Sequence, residues 1–400
     1  MGVGTSSLIQ EKGSPSLKKI AIIGASYLQN PLILKAKELG FETHVFAWQC
    51  GDVGERTADY FYPISIVEKD LILAKCKEIG VDGVCSIGSD LANIVVSYVA
   101  SSMGLVSNTI EATRLSTDKH AMREAFERNG DPSPKSLVVS EGFTLSDSNL
   151  RFPIIVKPAD RSGSRGVTKL DTVDGFDDAV KRAAGESFSG VVLAEEFFQG
   201  KEYSVEYISW KGEHYFLSIT EKFTSGAPMF VEKGHLEPAR VDKGVESRVR
   251  SVVEHALNGL GVEYGASHSE LKINDDGEIA IIEIGSRMGG DRIGSDLVSL
   301  STGYDFVGAV VSVAMGQSPK IPRIRKRNYA AIRYIFDERD LAALTSIKNG
   351  APNLLLEEDV SKFGEHAIVD SSSRFGYFMM QCDSLAELDP YLPDHSEEGL

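Results

Sequence analysis

The sequence predicts an α/β protein that begins with a doubly wound parallel sheet and continues with α+β segments. Three observations support this fold class. Apolar strands alternate with helical segments over short loops as far as about residue 112. Further along, apolar runs follow one another directly, as in hairpins, with single helices between them. At 400 residues the chain also exceeds one ordinary hydrophobic core and predicts two to four subdomains.

Composition and charge narrow the function classes. The formal net charge of −16 argues against nonspecific binding to nucleic acid or to an anionic membrane, although it allows a local basic pocket for a nucleotide. No apolar run reaches the ~18 residues of a membrane span. The four cysteines lack metal-ligand spacing and indicate reduced thiols in a cytoplasmic protein. Residues 1–17 are rich in Gly and Ser without an apolar core segment, so we expect a flexible tail rather than a signal peptide.

The segment of residues 18–115 contains the parallel sheet. We predict, in order, strand Lys18–Ser26, helix Pro31–Gly40, strand Glu42–Trp48, helix Asp70–Ile79, strand Gly83–Ile87 and helix Leu91–Met103. A dinucleotide fold would need the Gly-x-Gly-x-x-Gly fingerprint, but only Gly24 is present, since residues 26 and 29 are Ser and Gln. We therefore set NAD binding aside and expect a scaffold, with at most one substrate contact at Gly24–Asn30.

A lysine stands in the first turn of the next helix. Thr117 or Asp118 is the predicted N-cap of this helix, which ends at Asn129. Lys119 is unfavourable there for the helix macrodipole. A bound anion would explain its position, and so would simple solvation of the ammonium group.

The apolar strand Phe152–Pro158 ends in a second lysine, Lys157, and continues into a Gly/Ser loop with two arginines at residues 159–167. The loop supplies backbone N–H donors and the lysine supplies a point charge, so the segment suits a phosphate group. It is not a Walker loop, because Gly-Lys-Ser/Thr is absent. A hairpin turn with a lysine that reaches solvent is the alternative interpretation.

An acidic and aromatic linker follows a predicted helix at Phe176–Ala184 and a predicted strand at Gly190–Glu195. The linker contains Glu195-Glu196-Phe197-Phe198 and Glu202 and leads to strand Tyr203–Trp210. Its backbone amides suit the edge of an adenine base, and a carboxylate suits a ribose diol. The alternative is a hinge with both phenylalanines in the core.

Between strand Glu213–Thr220 and the amphipathic helix Ser247–Gly261 we predict a long irregular segment, Lys222–Arg240. Long loops inside compact domains are often functional. Three of its residues are therefore candidates for a substrate pocket: Glu232, His235 and Arg240.

Two short apolar runs, Glu270–Ile273 and Glu278–Ile282, pair as a hairpin around an Asn-Asp-Asp-Gly turn. Glu270 and Glu283 then lie across from each other at the ends far from the turn. Neighbouring carboxylates repel unless a cation lies between them, and Mg²⁺ is the usual cation when phosphate is present. Arg287 follows in a glycine-rich turn, and a guanidinium beside a metal suits phosphoryl chemistry. A solvated acidic hairpin followed by a structural turn is the alternative.

The remaining chain completes the predicted elements. Helix Asp305–Met315 and strand Tyr329–Phe336 precede a small unit at Asp337–Tyr391, which we predict as helix, strand, strand. We find no internal repeat.

Taken in order, the lysines, the loop, the linker and the hairpin resemble the ATP-grasp superfamily of carboxylate–amine ligases over roughly residues 15–320.

Three stretches look most like the L-amino acid ligase branch of that superfamily, namely Phe230–His235, Arg287–Asp291 and the region around Gly376-Tyr377. The resemblance implies an ATP-grasp fold with an N-terminal doubly wound parallel-sheet domain and a small C-terminal α+β unit. The expected segments are a tail at 1–17, an N-terminal α/β domain at 18–115, a lid subdomain at 116–194, a large subdomain with the metal site at 195–320 and a C-terminal domain at 321–400.

The resemblance also implies a role for each motif. Lys119 and Lys157 would contact the ATP phosphates, and Arg287 would act in catalysis with Lys157 or bind the substrate carboxylate. The expected lid over the phosphates comprises Ser162, Gly163, Ser164, Arg165, Gly166 and Val167. The expected adenine and ribose contacts are Glu195, Glu196, Phe197, Phe198 and Glu202. The expected substrate residues are Glu232, His235, Arg240, His268, Arg287, Gly290 and Asp291, where His268 shares a strand face with Glu270 and is otherwise a buried structural histidine.

Glu270 and Glu283 would bind Mg²⁺, two ions in the usual arrangement, with Mn²⁺ as an alternative metal. One departure concerns a third ligand. The superfamily often has Asn three residues after the second Glu, whereas this chain has Ser286, a weaker oxygen donor. Either Ser286 coordinates the metal or water takes its place.

The implied activity is ATP-dependent formation of an amide or peptide bond through an acyl phosphate, with release of ADP and phosphate. The partners would be small acids and amines, with no nucleic acid and no membrane, and a homodimer is left open. Two alternatives remain at this stage. In the first, the chain phosphorylates bicarbonate or formate, as carbamoyl-phosphate and purine-pathway members of the superfamily do. In the second, it binds ATP without catalysing a reaction.

Overall fold

The computed structural model describes residues 17–140, 143–227, 230–324, 328–361, 364 and 373–393. Within these residues the chain forms one parallel and two antiparallel sheets. The predicted α/β class is therefore confirmed, with α+β architecture after the first sheet. The predicted tail at 1–17 lies outside the described residues apart from Leu17.

Residues 19–103 form a four-stranded parallel sheet with helices on its faces. Its elements are β1 (Lys19–Ile23), α1 (Asn30–Glu38), β2 (Glu42–Phe46), α2 (Val53–Thr57), β3 (Tyr60–Tyr62), α3 (Lys69–Ile79), β4 (Gly83–Cys85) and α4 (Asp90–Met103). The strand order is β3-β2-β1-β4. Because helices cover both faces, the apolar side chains of β1 are buried. The carboxyl ends of β1 and β4 lie at one edge, where loops of a parallel sheet commonly bind ligands.

The second sheet is antiparallel and follows two helices. Its region contains α5 (Ile110–Leu115), α6 (Lys119–Asn129), β5 (Ser136–Val138), β6 (Ile154–Pro158), β7 (Thr168–Leu170), α7 (Phe176–Glu186) and β8 (Val192–Glu196). The strand order is β5-β8-β6-β7. The N-cap of α6 is Asp118, whose Oδ1 accepts bonds from the N–H groups of His120 and Ala121 at 2.9 and 3.1 Å.

The third sheet is the largest of the described part, with eight antiparallel strands. Its region contains β9 (Lys201–Trp210), β10 (Glu213–Thr224), β11 (Glu232–Glu237), α8 (Lys243–Gly259), β12 (Tyr264–Ile273), β13 (Ile279–Gly285), α9 (Val298–Thr302), α10 (Phe306–Ala314), β14 (Tyr329–Ile335), α11 (Glu338–Gly350), β15 (Leu355–Val360), β16 (Gly376–Cys382) and α12 (Leu385–Leu388). The order is β13-β12-β9-β10-β11-β14-β16-β15, so the C-terminal strands extend the sheet of the middle segment. The predicted hairpin is β12–β13, and Glu270 lies opposite Glu283 in its register.

The prediction of an irregular segment at Lys222–Arg240 is wrong for about half of its length. Strand β10 extends to Thr224, and β11 pairs with β10 on one side and with β14 on the other. The sequence of β11, Glu-Lys-Gly-His-Leu-Glu, lacks apolar alternation because its inward-facing side chains are polar. His235 and Glu237 are fully buried. A strand that buries polar groups departs from ordinary patterning, and such departures concentrate at functional sites.

Helices α6 and α8 share one apolar cluster against the third sheet. Phe126 and Met122 of α6 pack in it with Val253 and Leu257 of α8, and all of them are fully buried. The cluster fixes the N-terminal turn of α6 relative to β12 and β13. Lys119 on that turn is consequently held at the junction between the two antiparallel sheets.

No helix of the described residues has the length and apolar character that crossing a membrane requires. The four cysteines are free thiols, with Cys76 and Cys85 buried and Cys50 exposed. Burial raises the pKa of each of the two buried thiols to about 12, so they stay protonated at neutral pH.

We predict that Asp118→Ala lowers the free energy of unfolding by about 1 kcal/mol, because two backbone N–H groups of α6 lose their acceptor. Asp118→Asn is the matched control and should stay within about 0.5 kcal/mol of wild type, since Asn caps helices about as well as Asp. Urea denaturation followed by circular dichroism measures both. Equal stability of the two variants would contradict the capping role.

Candidate functional site

The three sheets meet at a cavity of about 310 Å³. Most of the predicted site residues line it: Lys119, Lys157, Ser162, Gly163, Ser164, Val167, Glu195, Glu196, Phe197, Phe198, Glu202, Glu232, His235, His268, Glu270, Glu283, Arg287, Gly290 and Asp291. Arg165, Gly166, Arg240 and Ser286 are not among its lining residues. Side chains that are far apart in the sequence therefore converge on one space.

The two hairpin carboxylates face cationic side chains in this cavity. Lys119 Nζ lies 2.9 Å from Glu283 Oε1, and Lys222 Nζ lies 2.7 Å from Glu270 Oε1. Burial would lower the pKa of Lys119, but Glu283 holds it above its usual value. Burial would raise the pKa of Glu270, yet Lys222 and His268 hold it well below its usual value. Glu270 is thus ionised at neutral pH, as a ligand of a hard cation must be.

Lys157 shares one buried carboxylate with an arginine from α6. Its Nζ lies 2.5 Å from Glu195 Oε2, and Arg123 Nε lies 2.9 Å from Glu195 Oε1. The two cations hold the pKa of Glu195 at about 2 despite its burial. Burial and the nearby Arg123 lower the pKa of Lys157. Sequence reasoning missed Arg123, although its position four residues after Lys119 places both on one helix face.

Arg287 forms a two-pronged ion pair with Asp90, the first residue of α4. Its Nε and Nη2 lie 2.8 and 3.1 Å from the two carboxylate oxygens. Burial would lower the pKa of Arg287, but Asp90 raises it. Sequence reasoning also missed Asp90. The sequence did offer one signal for Asp90. It follows closely after the carboxyl end of a predicted parallel strand, where polar residues commonly face ligands.

The loop of residues 162–167 lies over one side of the cavity. Gly163, Ser164 and Gly166 have φ angles of 73°, 57° and 71°, a conformation that favours glycine. Ser164 Oγ donates to Phe230 O at 3.2 Å, and Lys119 Nζ donates to Arg161 O at 2.8 Å. The loop therefore contacts the segment between β10 and β11, and Arg161, directly before the loop, contacts the lysine that pairs with Glu283.

The linker after β8 has fewer free backbone N–H groups for an adenine base than the sequence predicts. The N–H groups of Glu196 and Phe197 donate to Lys135 O and Pro153 O, both at 2.9 Å, so they are not free to meet a base edge. The Phe197 ring lies beneath two ammonium groups, those of Lys169 at 4.9 Å and Lys272 at 4.6 Å from its centroid. The predicted alternative of a core hinge does not describe Phe197 and Phe198, because both line the cavity.

The far end of the cavity carries polar groups from β11 and from the turn after β13. Arg374 donates to both oxygens of Asp291 at 2.9 and 2.8 Å and lies 3.6 Å from Glu232. His235 is fully buried, with its Nε2 3.8 Å from Asp291. Burial lowers the pKa of His235, so it is neutral at physiological pH. Arg240 lies elsewhere, paired with Glu221 at 2.7 Å and Asp389 at 3.0 Å.

Ser286 does not join the two carboxylates in the cavity. It is buried behind Arg287, where its Oγ lies 2.6 Å from Ser116 Oγ and 3.1 Å from Asn93 Nδ2. No group of three or more His, Cys, Asp or Glu side chains is arranged for a metal ion in the described ranges. The paired glutamates still fit Mg²⁺, which is commonly bound by one or two carboxylates together with water and substrate phosphates.

His268 connects the carboxylate pair to a deeper acid. Its Nδ1 is hydrogen-bonded to the buried Glu206, and its Nε2 lies 3.4 Å from Glu270 Oε1. Burial would lower the pKa of His268, but the two carboxylates raise it to about 9. A Cβ at Gly289 would lie 2.6 Å from Nδ1, so this position requires glycine.

Comparison with known proteins agrees with this geometry. Residues 150–296 match the ATP-grasp domain family. This segment of the chain is similar to ATP-grasp domains. The alanine–anticapsin ligase of Bacillus subtilis is 27% identical over 212 residues, covering 47% of this chain and 44% of that protein. The D-alanine–D-alanine ligase of Hydrogenovibrio crunogenus is 26% identical over 204 residues, covering 48% of this chain and 60% of that protein. The chain thus spans about half the length of the curated relatives it matches.

The ATP-grasp fold extends over nearly the whole chain. An L-amino acid ligase from Bacillus licheniformis superposes with a TM-score of 0.79 at 22% identity, covering 95% of this chain and 96% of that one. A phosphoribosylglycinamide synthetase from Anaerococcus prevotii gives a TM-score of 0.75 at 20% identity, covering 93% and 96%. At these identities the likeness concerns the fold.

In β11, Glu237 is a fully buried acid whose oxygens accept bonds from Ser301 at 2.6 Å and Thr220 at 2.8 Å. Burial raises the pKa of Glu237 from 4.5 to about 7. The folded protein therefore keeps a proton that the unfolded chain releases, and stability falls as the pH rises through this window.

We predict that Glu237→Gln removes this pH dependence. Relative to the variant, wild type should lose roughly 2–4 kcal/mol of unfolding free energy between about pH 4.5 and pH 7, with no further change above that. Urea denaturation at a series of pH values measures the difference. Glu263→Gln, at an exposed carboxylate, should leave the profile of wild type unchanged. Parallel curves for wild type and Glu237→Gln would contradict the prediction.

Proposed function

We propose that the protein is an ATP-dependent, ADP-forming ligase that joins a carboxylate to an amine through an acyl phosphate. The observation that carries the proposal is the placement of Glu270 opposite Glu283 in one cavity with Lys119, Lys157 and Arg287. Ionised oxygen donors beside several cations suit a nucleoside triphosphate with its metal. The named ligases among the curated relatives support the same reaction class.

The first step would be attack of the substrate carboxylate on the γ-phosphorus of ATP, with departure of ADP. Lys157 and Lys119 would hold the phosphate oxygens, and Arg287 would stabilise the charge on the group in transfer. Mg²⁺ held by Glu270 and Glu283 would supply Lewis-acid charge to those oxygens. Phosphoryl transfer needs positioning and charge rather than a protein nucleophile.

The second step would be attack of the amine on the acyl carbon, with departure of phosphate. An acyl phosphate hydrolyses in water, so the site has to exclude it. The loop of residues 162–167 would serve this purpose, since Ser164 bonds to Phe230 across the cavity. Glu202 would bind the ribose.

The acid substrate would occupy the end of the cavity beyond Arg287. Glu232 and Asp291 line this end, each paired with Arg374 from outside the lining, and His235, His268 and Gly290 line the neighbouring wall. Such a surface suits a small acid that carries a second charged group, which supports an amino acid as substrate. Arg240 and Ser286 are left out of this assignment because they bond elsewhere.

An ADP-release screen tests the proposal. Amino acids and small carboxylates are supplied singly and in pairs with Mg²⁺ and ATP, and we expect release that depends on an acid together with an amine. If bicarbonate or formate alone stimulated ADP release, the proposed ligase activity would be wrong, and the chain would instead phosphorylate bicarbonate or formate. Nucleotide binding without release under any pair would indicate a noncatalytic module.

We predict that Glu283→Gln lowers ADP release by about 100-fold or more, because the amide removes one charge from the proposed metal site. The matched control is Asp276→Asn at the exposed turn of the same hairpin, which should leave the rate unchanged. A near-native rate in Glu283→Gln would overturn the metal assignment.

A further inference from the structure

The group formed by Arg123, Glu195 and Lys157 contains two cations and one anion in the interior, and we call it the buried triad. Its side chains are 5%, 4% and 8% exposed. Burial of charge is costly unless every charge is paired. The other buried pairs of the cavity, Lys119–Glu283 and Arg287–Asp90, are neutral, whereas the triad keeps a surplus of one positive charge.

Arg123 also reaches the strand that carries a proposed metal ligand. Its Nη2 lies 3.2 Å from Glu195 Oε2 and donates to Ile282 O at 2.7 Å. Ile282 directly precedes Glu283 in β13, and Glu195 lies in β8 of the second sheet. One guanidinium therefore joins the sheet that holds Lys157 to the strand that holds Glu283.

We propose that Arg123 is a positioning residue for the nucleotide phosphates, acting through Glu195 on Lys157. Because Arg123 contacts both oxygens of Glu195, including the one that Lys157 contacts, the carboxylate does not fully neutralise Lys157, and the ammonium keeps a net attraction for an anion in the cavity. The inference rests on the proposed function, since it takes the anion to be the phosphate chain of ATP or ADP.

Variants that lack the Arg123 guanidinium distinguish this effect on phosphate binding from a purely structural role of Arg123. Arg123→Met leaves a neutral Lys157–Glu195 pair, so ADP should bind about tenfold more weakly without Mg²⁺, while adenosine, which has no phosphate, should bind as before. The double variant Arg123→Met/Glu195→Gln loses the same guanidinium but restores the surplus positive charge on Lys157. Its affinity for ADP should return to within about threefold of wild type.

Calorimetry with ADP and ligand-observed NMR with adenosine measure these affinities on the full-length chain. If Arg123→Met does not fold, Arg123→Gln, which keeps a donor toward Ile282 O, replaces it in both variants. Equal loss for ADP and adenosine, or a double variant no better than the single one, would show that Arg123 is structural. ADP binding equal to that of wild type in Arg123→Met would overturn the inference alone. Failure of wild type to bind ADP would overturn the proposed function with it.

Discussion

Pairing of buried charges is the constraint on which the cavity depends. Four carboxylates, three from the two antiparallel sheets and one from helix α4, face inward, and each meets a cation at 3 Å or less: Glu283 with Lys119, Glu270 with Lys222, Glu195 with Lys157, and Asp90 with Arg287. An unpaired buried charge costs on the order of several kcal/mol. Each of these carboxylates therefore needs its cation in the folded chain, and two of the pairs also join helices to the third-sheet region: Lys119 of α6 with Glu283 of β13, and Asp90 of α4 with Arg287 after β13.

In the proposed function the same pairs would also constrain how the metal and the nucleotide bind. A divalent cation that binds Glu270 and Glu283 has to replace Lys222 and Lys119, and the released ammonium groups then need an anion. A nucleotide with its metal satisfies both requirements at once, because the metal takes the carboxylates and the phosphates take the lysines. Either ligand by itself would leave charge unpaired in the interior. Such an exchange would need cations in the site, and six Lys and Arg side chains line the cavity although the whole chain carries a net charge of −16.

Local signals predicted both members of the pairs Lys119–Glu283 and Lys157–Glu195 as site residues, but only Glu270 and Arg287 of the other two pairs. Lys157 and Glu283 could be predicted because each ends an apolar strand, and Glu270 because a hairpin turn fixes its register with Glu283. Arg123 sits on a helix, Asp90 follows a different sheet, and Arg374 comes from the C-terminal segment; no spacing in the sequence relates them to their partners. Strand β11 was missed for a related reason. Its buried side chains are polar, so its sequence lacks the apolar alternation by which a strand is predicted.

Ser286 shows how the structure narrows the metal chemistry. Its hydroxyl is bonded to Ser116 and Asn93 behind Arg287, on the side of the strand that faces away from the two glutamates. A third protein ligand at this position would have to leave those bonds and pass the Arg287–Asp90 pair. Mg²⁺ does not need it, because phosphate oxygens and water complete its shell. The bonds of Ser286 thus stabilise the turn that contains Arg287. The two carboxylates are then the protein ligands of the proposed nucleotide-dependent metal site.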